Sequence, residues 1–322
     1  MQRLRLALLL FCCLAAPALA VDPKEDTNNG PTLGDETVQH IQLGLTVESQ
    51  GGECRGIHGT TPIPIEWPEQ SVRVVAEDIT PNVAQVDYRM VAGTVQQMVI
   101  DVPFVAPLEK VNALVTMEVT KRKLIAPTDT AQYTLPNKKK LPPDVRIYLG
   151  PSPKIESRHA KIRSTAKEIL KDKRDASAWE QVEAIYDGVR ERVEYKNGPI
   201  KGALAALKDG DGDCEELTSL FIAICRAEDI PARTVWVPGH CYPEFYLWDA
   251  TETGYWFPCQ AAGDRAFGEI DEQRPILQKG DNFRDPDRPK QQLRYLSEFL
   301  TGKGGKPKVK FVREIVDGPG AN

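Results

Sequence analysis

The 322-residue sequence predicts an α+β protein, with an N-terminal β-sandwich followed by a region in which helices are joined to antiparallel strands. Three observations carry that reading. From Val38 to about Leu135 the apolar residues recur with period two. A proline- and lysine-rich stretch, "LPNKKKLPPDVRIYLGPSP", then interrupts the pattern. Beyond it the apolar period becomes helical, before alternating strands return.

Residues 1–20, "MQRLRLALLLFCCLAAPALA", pair two arginines with a short apolar run and end in Ala18-Leu19-Ala20. This is the pattern of a secretory signal cut after Ala20. The run is too short to span a bilayer comfortably, and Cys12 and Cys13 fall inside it. Residues 21–36 are polar and turn-rich and read as a disordered leader. In the sandwich, expected over 37–135, Ile41, Leu43, Leu45 and Val47 alternate with polar residues. Val111, Ala113, Val115, Met117 and Val119 do the same. Residues 136–154 read as a solvated linker.

Within the next region, 155–271, Ser177 and Glu180 form a capping-box pair ahead of Trp179, Val182, Ile185, Tyr186 and Val189 on one helical face. "GALAALKDG" reads as a short helix stopped by Gly210. "ARTVWVP", "HCYPEFYLWD" and "GYWFPCQ" read as strands, and Pro243 implies an edge or a bulge in the second of them. The charged extension 272–322 reads as a helix near 289–300 followed by a strand at "KVKFVREIV".

Removing Arg3 and Arg5 from 41 basic residues, against 46 acidic ones, leaves a net charge of about −7, which argues against a nucleic-acid partner. No later stretch is apolar enough for a membrane span. Five cysteines remain: Cys54, Cys214, Cys225, Cys241 and Cys259. An odd number without CxxC spacing fits one reactive thiol among buried ones better than a disulfide framework. Cys241 and Cys259 could pair, or bind zinc with His240, but the spacing fits no usual zinc site.

The stretch "DGDGDCEELTSLFIAIC" (209–225) begins like a calcium loop. It fails at two strict positions, where Cys214 replaces the turning glycine and Leu220 the bidentate glutamate. It succeeds as a helix start. Asp213 is placed as N-cap, Glu216 as its capping-box partner, and Cys214 as the first helical residue, with Leu217, Leu220, Phe221, Ile224 and Cys225 as the apolar stripe. The helix dipole favours a thiolate at Cys214 by only about 0.3–1 kcal/mol. Asp213, Glu215 and Glu216 oppose it, so a reactive Cys214 needs a cationic partner. Of four histidines only His240 lies downstream of it, opening "HCYPEFYL". Tyr195, Trp236 and Trp256 read as core or cleft walls.

In its motifs the chain resembles the transglutaminase-like superfamily. "GDCEELTSLFIAICRAEDIPAR" is similar to that family's glycine-x-cysteine helix and the segment after it, with Asp229 where glycine is usual. "HCYPEFYL" is similar to its H-A-W-V-E-V-Y-L strand, and "YWFPCQ" to its W-x-P-x-D strand. The resemblance, over roughly 155–265, implies a papain-like catalytic core of helices packed on an antiparallel sheet. It implies Cys214 as nucleophile, His240 as general base and Gln260 as the residue that orients the imidazole. Gln260 stands where the family has aspartate. A neutral amide can fill that place, as asparagine does in papain-like proteases, and Asp264 is the other residue that could. The implied activity is acyl transfer on peptide or amide bonds through a thioester, without metal or cofactor. Water would make the enzyme a protease or amidase, and a lysine amine would make it a transglutaminase. The rival is an inactive core that binds peptide or cell-envelope material. The expected partner is a peptide or protein substrate, met in the periplasm or outside the cell.

Overall fold

The computed structural model describes residues 29–318. The expected signal peptide and most of the leader lie outside the described residues. Six strands come first: β1 (Thr32–Glu48), β2 (Cys54–Ile63), β3 (Gln70–Ile79), β4 (Gln85–Val91), β5 (Val95–Val105) and β6 (Lys110–Ile125). The helices are α1 (Pro143–Arg146), α2 (Ala160–Ile169), α3 (Ala178–Arg192), α4 (Ala203–Asp209) and α5 (Cys214–Ala227). Two-residue strands β7 (Glu194–Tyr195) and β8 (Asp211–Gly212) flank α4. The later strands are β9 (Ala232–Val237), β10 (His240–Trp248), β11 (Gly254–Pro258), β12 (Gln278–Lys279), β13 (Phe283–Arg284), β14 (Gln292–Leu293), β15 (Phe299–Gly304) and β16 (Lys308–Val316).

The alternating residues build two four-stranded sheets, ordered β16-β1-β6-β3 and β15-β2-β5-β4. Ile41, Leu43, Leu45 and Val47 from one sheet meet Met98, Ile100 and Val102 from the other, all fully buried. Period-two burial of one face is what holds the register, because a one-residue slip would turn this row outward. β1 begins at Thr32 and its first residues pair with β6, so residues 32–36 are strand where a leader was expected.

The C-terminal segment returns to this sandwich. β16 pairs with β1 and β15 with β2. The helix expected near 289–300 is absent: β14 and the start of β15 occupy the segment. Leu296 is fully buried beside Val91, Val95 and Phe283, and β2 offers an open edge that Phe299 and Leu300 complete. Tertiary pairing overrides a helical spacing of leucines here.

The second region packs its helices against a sheet ordered β11-β10-β9-β12. Its core centres on α5, with Leu220, Phe221, Ile224 and Cys225 buried against Tyr186, Phe245 and Phe257. β10 is an interior strand, contrary to what Pro243 suggested. The missing donor falls where β11 ends, since pairing stops at Glu244 with Pro258, and Cys259 still donates its N–H to the Pro243 carbonyl at 3.0 Å. The 136–154 stretch packs more than a solvated linker would, because Leu141, Val145 and Tyr148 are buried.

Two buried ion networks join the parts. Lys279 on β12 bonds both Glu69, which precedes β3, and Glu244 on β10, each at 2.6 Å, and Arg233 on β9 bonds Glu244 at 2.8 Å. Arg226 on α5 bonds Asp281 at 2.8 Å. Glu244 stays below the usual carboxylate range. Burial would raise it, but Lys279 and Arg233 outweigh that. Among the described residues no helix is long and apolar enough to cross a membrane.

Candidate active site

Helix α5 starts as its sequence dictates. The Asp213 carboxylate accepts from the Glu215 amide at 2.8 Å, and Glu216 bonds back to the Asp213 amide at 3.3 Å. Glu216 also accepts from the amides of Lys201 at 2.8 Å and Gly202 at 3.2 Å, which pins the loop before α4 to the helix start. Gly212 is required by proximity: a Cβ there would lie 2.4 Å from the Glu216 Cβ. The αL turn at Gly210 (φ 76°) ends α4 and lets the chain reverse into Cys214.

The acidic row that looked like a calcium loop is already engaged. Asp209 and Asp211 both bind Lys201, and Asp211 also meets Lys196 at 3.2 Å. Asp213 caps the helix.

Cys214 sits half-buried at the first turn of α5, against the head of β10. Hydrogen bonds hold its pKa down to about 4. The largest contribution comes from the Cys241 side chain. Burial opposes this, and it is outweighed further by the hydrogen bond and charge of His240 and by the Cys241 backbone N–H. His240 rises above its usual value. Burial pulls it down, but the Cys214 sulfur and the Gln260 side chain pull it up by more. Nε2 of the ring meets Gln260 Oε1 at 3.2 Å, which leaves Nδ1 for the sulfur. The Gln260 backbone is itself fixed, because its main-chain carbonyl accepts from the Tyr186 hydroxyl at 2.8 Å and from Arg190 at 3.1 Å. The structure therefore brings Cys214, His240 and Gln260 together. It leaves Asp264 exposed and without a bond to the ring.

The expected repulsion by three neighbouring carboxylates is largely relieved. Burial and the hydrogen-bonded, charged Glu216 push Asp213 up to about 7, and the thiolate adds to the push. Near neutral pH Asp213 therefore carries only part of a charge. Glu216 spends its charge on backbone amides, and Glu215 is paired with Arg294.

The site opens into a cleft of about 320 Å³. Its walls include Tyr195, Trp236, Arg294, Tyr295 and Arg313 beside Cys214 and His240. Trp236 is held by its Nε1 bond to the Gly280 carbonyl at 2.8 Å. Tyr295 packs edge-on against it at 5.1 Å, and the Arg294 guanidinium lies 5.2 Å from its ring centroid. Trp256 lies elsewhere, stacked under Arg233 at 4.1 Å. Arg294, Tyr295 and Arg313 come from the C-terminal extension, and no local pattern in that segment marks them. The pairing of Cys241 with Cys259 that the sequence leaves open is not made: all five described cysteines are free, and Cys259 is buried in the helical core.

Residues 163–261 match the family described as the transglutaminase-like superfamily. No curated protein matches the sequence. Among solved structures, the chain is similar to a candidate cysteine protease from Cytophaga hutchinsonii, at 17% identity and a TM-score of 0.60. The match covers 89% of this chain and 93% of that one. The periplasmic domain of TgpA from Pseudomonas aeruginosa, bound to ethylmercury, aligns at 13% identity and a TM-score of 0.34 over 70% of this chain and 90% of that one. By its sequence match and its helix-on-sheet architecture, the segment 163–261 is a transglutaminase-like domain, preceded by a β-sandwich that the C-terminal strands complete.

Proposed function

We propose that the chain is an exported cysteine-dependent acyl-transfer enzyme that acts on peptide or amide bonds, with hydrolysis as its outcome. The observation that carries this reading is Cys214 and His240 lining the mouth of one open cleft, each shifting the other's pKa, with Gln260 hydrogen-bonded to the ring. The low Cys214 value and the raised His240 value support a thiolate–imidazolium pair at neutral pH.

In this reading the thiolate attacks the amide carbonyl and the oxygen takes the negative charge. The Cys214 N–H, at the first helical position, has no partner within the helix and supports that charge. Imidazolium His240 then gives its proton to the leaving amine as the C–N bond breaks, leaving a thioester on Cys214. Neutral His240 next takes a proton from water, whose oxygen attacks the thioester, and the carboxylic product leaves as Cys214 returns to thiolate. Gln260 accepts from Nε2–H throughout and keeps Nδ1 facing the sulfur. Transfer to a lysine amine would use the same residues with a different acceptor. Export rests on the pattern of residues 1–20.

The test is turnover of a panel of short peptides carrying a chromogenic C-terminal amide, with acid quench and intact mass analysis. The expected result is amine release together with a mass increase on Cys214, both absent in Cys214→Ala. Added alkylamine should not divert the product if hydrolysis is right. Peptide binding without a covalent adduct or product would favour a non-catalytic module.

A further inference from the structure

A second cavity, of about 480 Å³, lies at the other end of α5. From Cys214 to Ala227 at its wall is roughly 20 Å along the helix, at 1.5 Å per residue. It is therefore separate from the catalytic cleft. Its charged lining is Lys138, Arg146, Arg158, Arg163 and Arg226, against the single carboxylate of Asp229.

Two of these cations are already neutralised. Lys138 binds Asp229 at 2.7 Å, and Arg226 is buried against Asp281. The other three are not. Arg146 bonds only the carbonyls of Leu141 and Lys139, which carry no charge. The guanidiniums of Arg158 and Arg163 have no hydrogen-bond, ion-pair or ring partner among the described residues. Three uncompensated positive charges around one cavity, on a chain of net charge −5, mark an anion site. A second observation points the same way. Ser157 also lines the cavity and is 2% exposed, yet its hydroxyl oxygen has no hydrogen-bond partner. A buried hydroxyl left without a partner costs free energy that a ligand oxygen would recover.

The chemistry selects among anions. Planar guanidinium forks bind carboxylate and phosphate in pairs of hydrogen bonds, and a carboxylate offers only two oxygens. Three arginines with a serine hydroxyl need more acceptors than that. A phosphate group presents them, and the cavity has room for more than one such group. We propose that this cavity binds a phosphate-bearing ligand through Arg146, Arg158, Arg163 and Ser157, the phosphate being carried either by a free small molecule or by a lipid headgroup.

The experiment is calorimetric titration of the full chain with sodium pyrophosphate, run beside citrate. Flotation with phosphatidylglycerol vesicles, against phosphatidylcholine vesicles, forms the second arm. Saturable pyrophosphate binding that weakens roughly tenfold or more in Arg158→Gln/Arg163→Gln supports the proposal with a free ligand. Flotation with phosphatidylglycerol alone, lost in the same variant, supports it with a headgroup. Both arginines are exposed and their guanidiniums make no hydrogen bond or ion pair among the described residues, so the unliganded melting temperature should not change. Asp229→Asn is an independent second variant. It releases Lys138, keeps a side chain that tolerates the φ of 59°, and should tighten binding severalfold. Absence of binding in both arms, citrate binding as tight as pyrophosphate, or affinities unchanged in both variants would overturn the proposal.

Discussion

The Cys241 thiol, one residue beyond the histidine on β10, is the largest influence that lowers the pKa of Cys214. Burial raises Cys241 well above the ordinary thiol range, so it keeps its proton while its neighbour loses one. Two neighbouring cysteines thus shift in opposite directions, Cys214 toward the thiolate and Cys241 toward the thiol. The prediction is that Cys241→Ala raises the Cys214 pKa and lowers the alkylation rate at mildly acidic pH. Little loss should appear near neutrality, where His240 still acts. Equal pH profiles for the variant and the parent would count against the contact.

Gln260 fixes the imidazole through a neutral oxygen at 3.2 Å. Gln260→Ala should therefore lower kcat/KM by about tenfold or more with little change in KM, because the ring loses orientation and the substrate loses no contact. Gln260→Glu should retain activity and raise the pKa of His240 further, through the added charge. Steady-state kinetics with a chromogenic peptide amide, alongside NMR titration of the ring, reads both effects.

Gly212 lies against the Glu216 side chain that pins α5 to the loop before α4. Gly212→Ala should destabilise the protein by about 1–3 kcal/mol by overpacking, and should lower Cys214 reactivity as the helix start shifts. Chemical denaturation and alkylation of the same sample check both. An unchanged denaturation midpoint would mean that the helix start yields without strain.

Lys279 holds Glu69 and Glu244 together where all three side chains are nearly dry. Lys279→Met should cost about 3–5 kcal/mol, because it strands a buried carboxylate at the junction of sandwich and core. Urea denaturation measures it. A loss below about 1 kcal/mol would mean that water reaches the pair.

These relationships differ in how far the sequence exposes them. The sandwich strands are legible because Ile41 to Val47 and Val111 to Val119 alternate strictly, and the start of α5 because Asp213 and Glu216 stand at capping spacing. His240 and Gln260 are found through motifs, His240 opening β10 and Gln260 two residues past the end of β11. The cleft wall of Arg294 and Tyr295 is not legible, since it exists only because the chain returns across the sandwich after β12. The same return makes strand of a segment whose leucines suggest helix. Nor does sequence disclose that Asp213 is pushed up to about 7: that follows from its burial against Glu216. Asp229 departs from a glycine motif, and its φ of 59° shows why glycine suits the position.

The proposed chemistry depends on the charge state of one sulfur. Cys214 is depressed from the usual thiol range, so its thiolate is present above about pH 4 and lost as pH falls through that value. His240 is raised, so its positive charge persists above the ordinary imidazole range and is lost only as pH rises through the raised value. Intact mass spectrometry can follow iodoacetamide addition to Cys214 from about pH 3 to about pH 9, against His240→Ala. The predicted profile rises near pH 4 in the parent and at distinctly higher pH in the variant. A parent profile that climbs only near the free-cysteine value of about 8.5, and is indifferent to His240→Ala, would contradict the account.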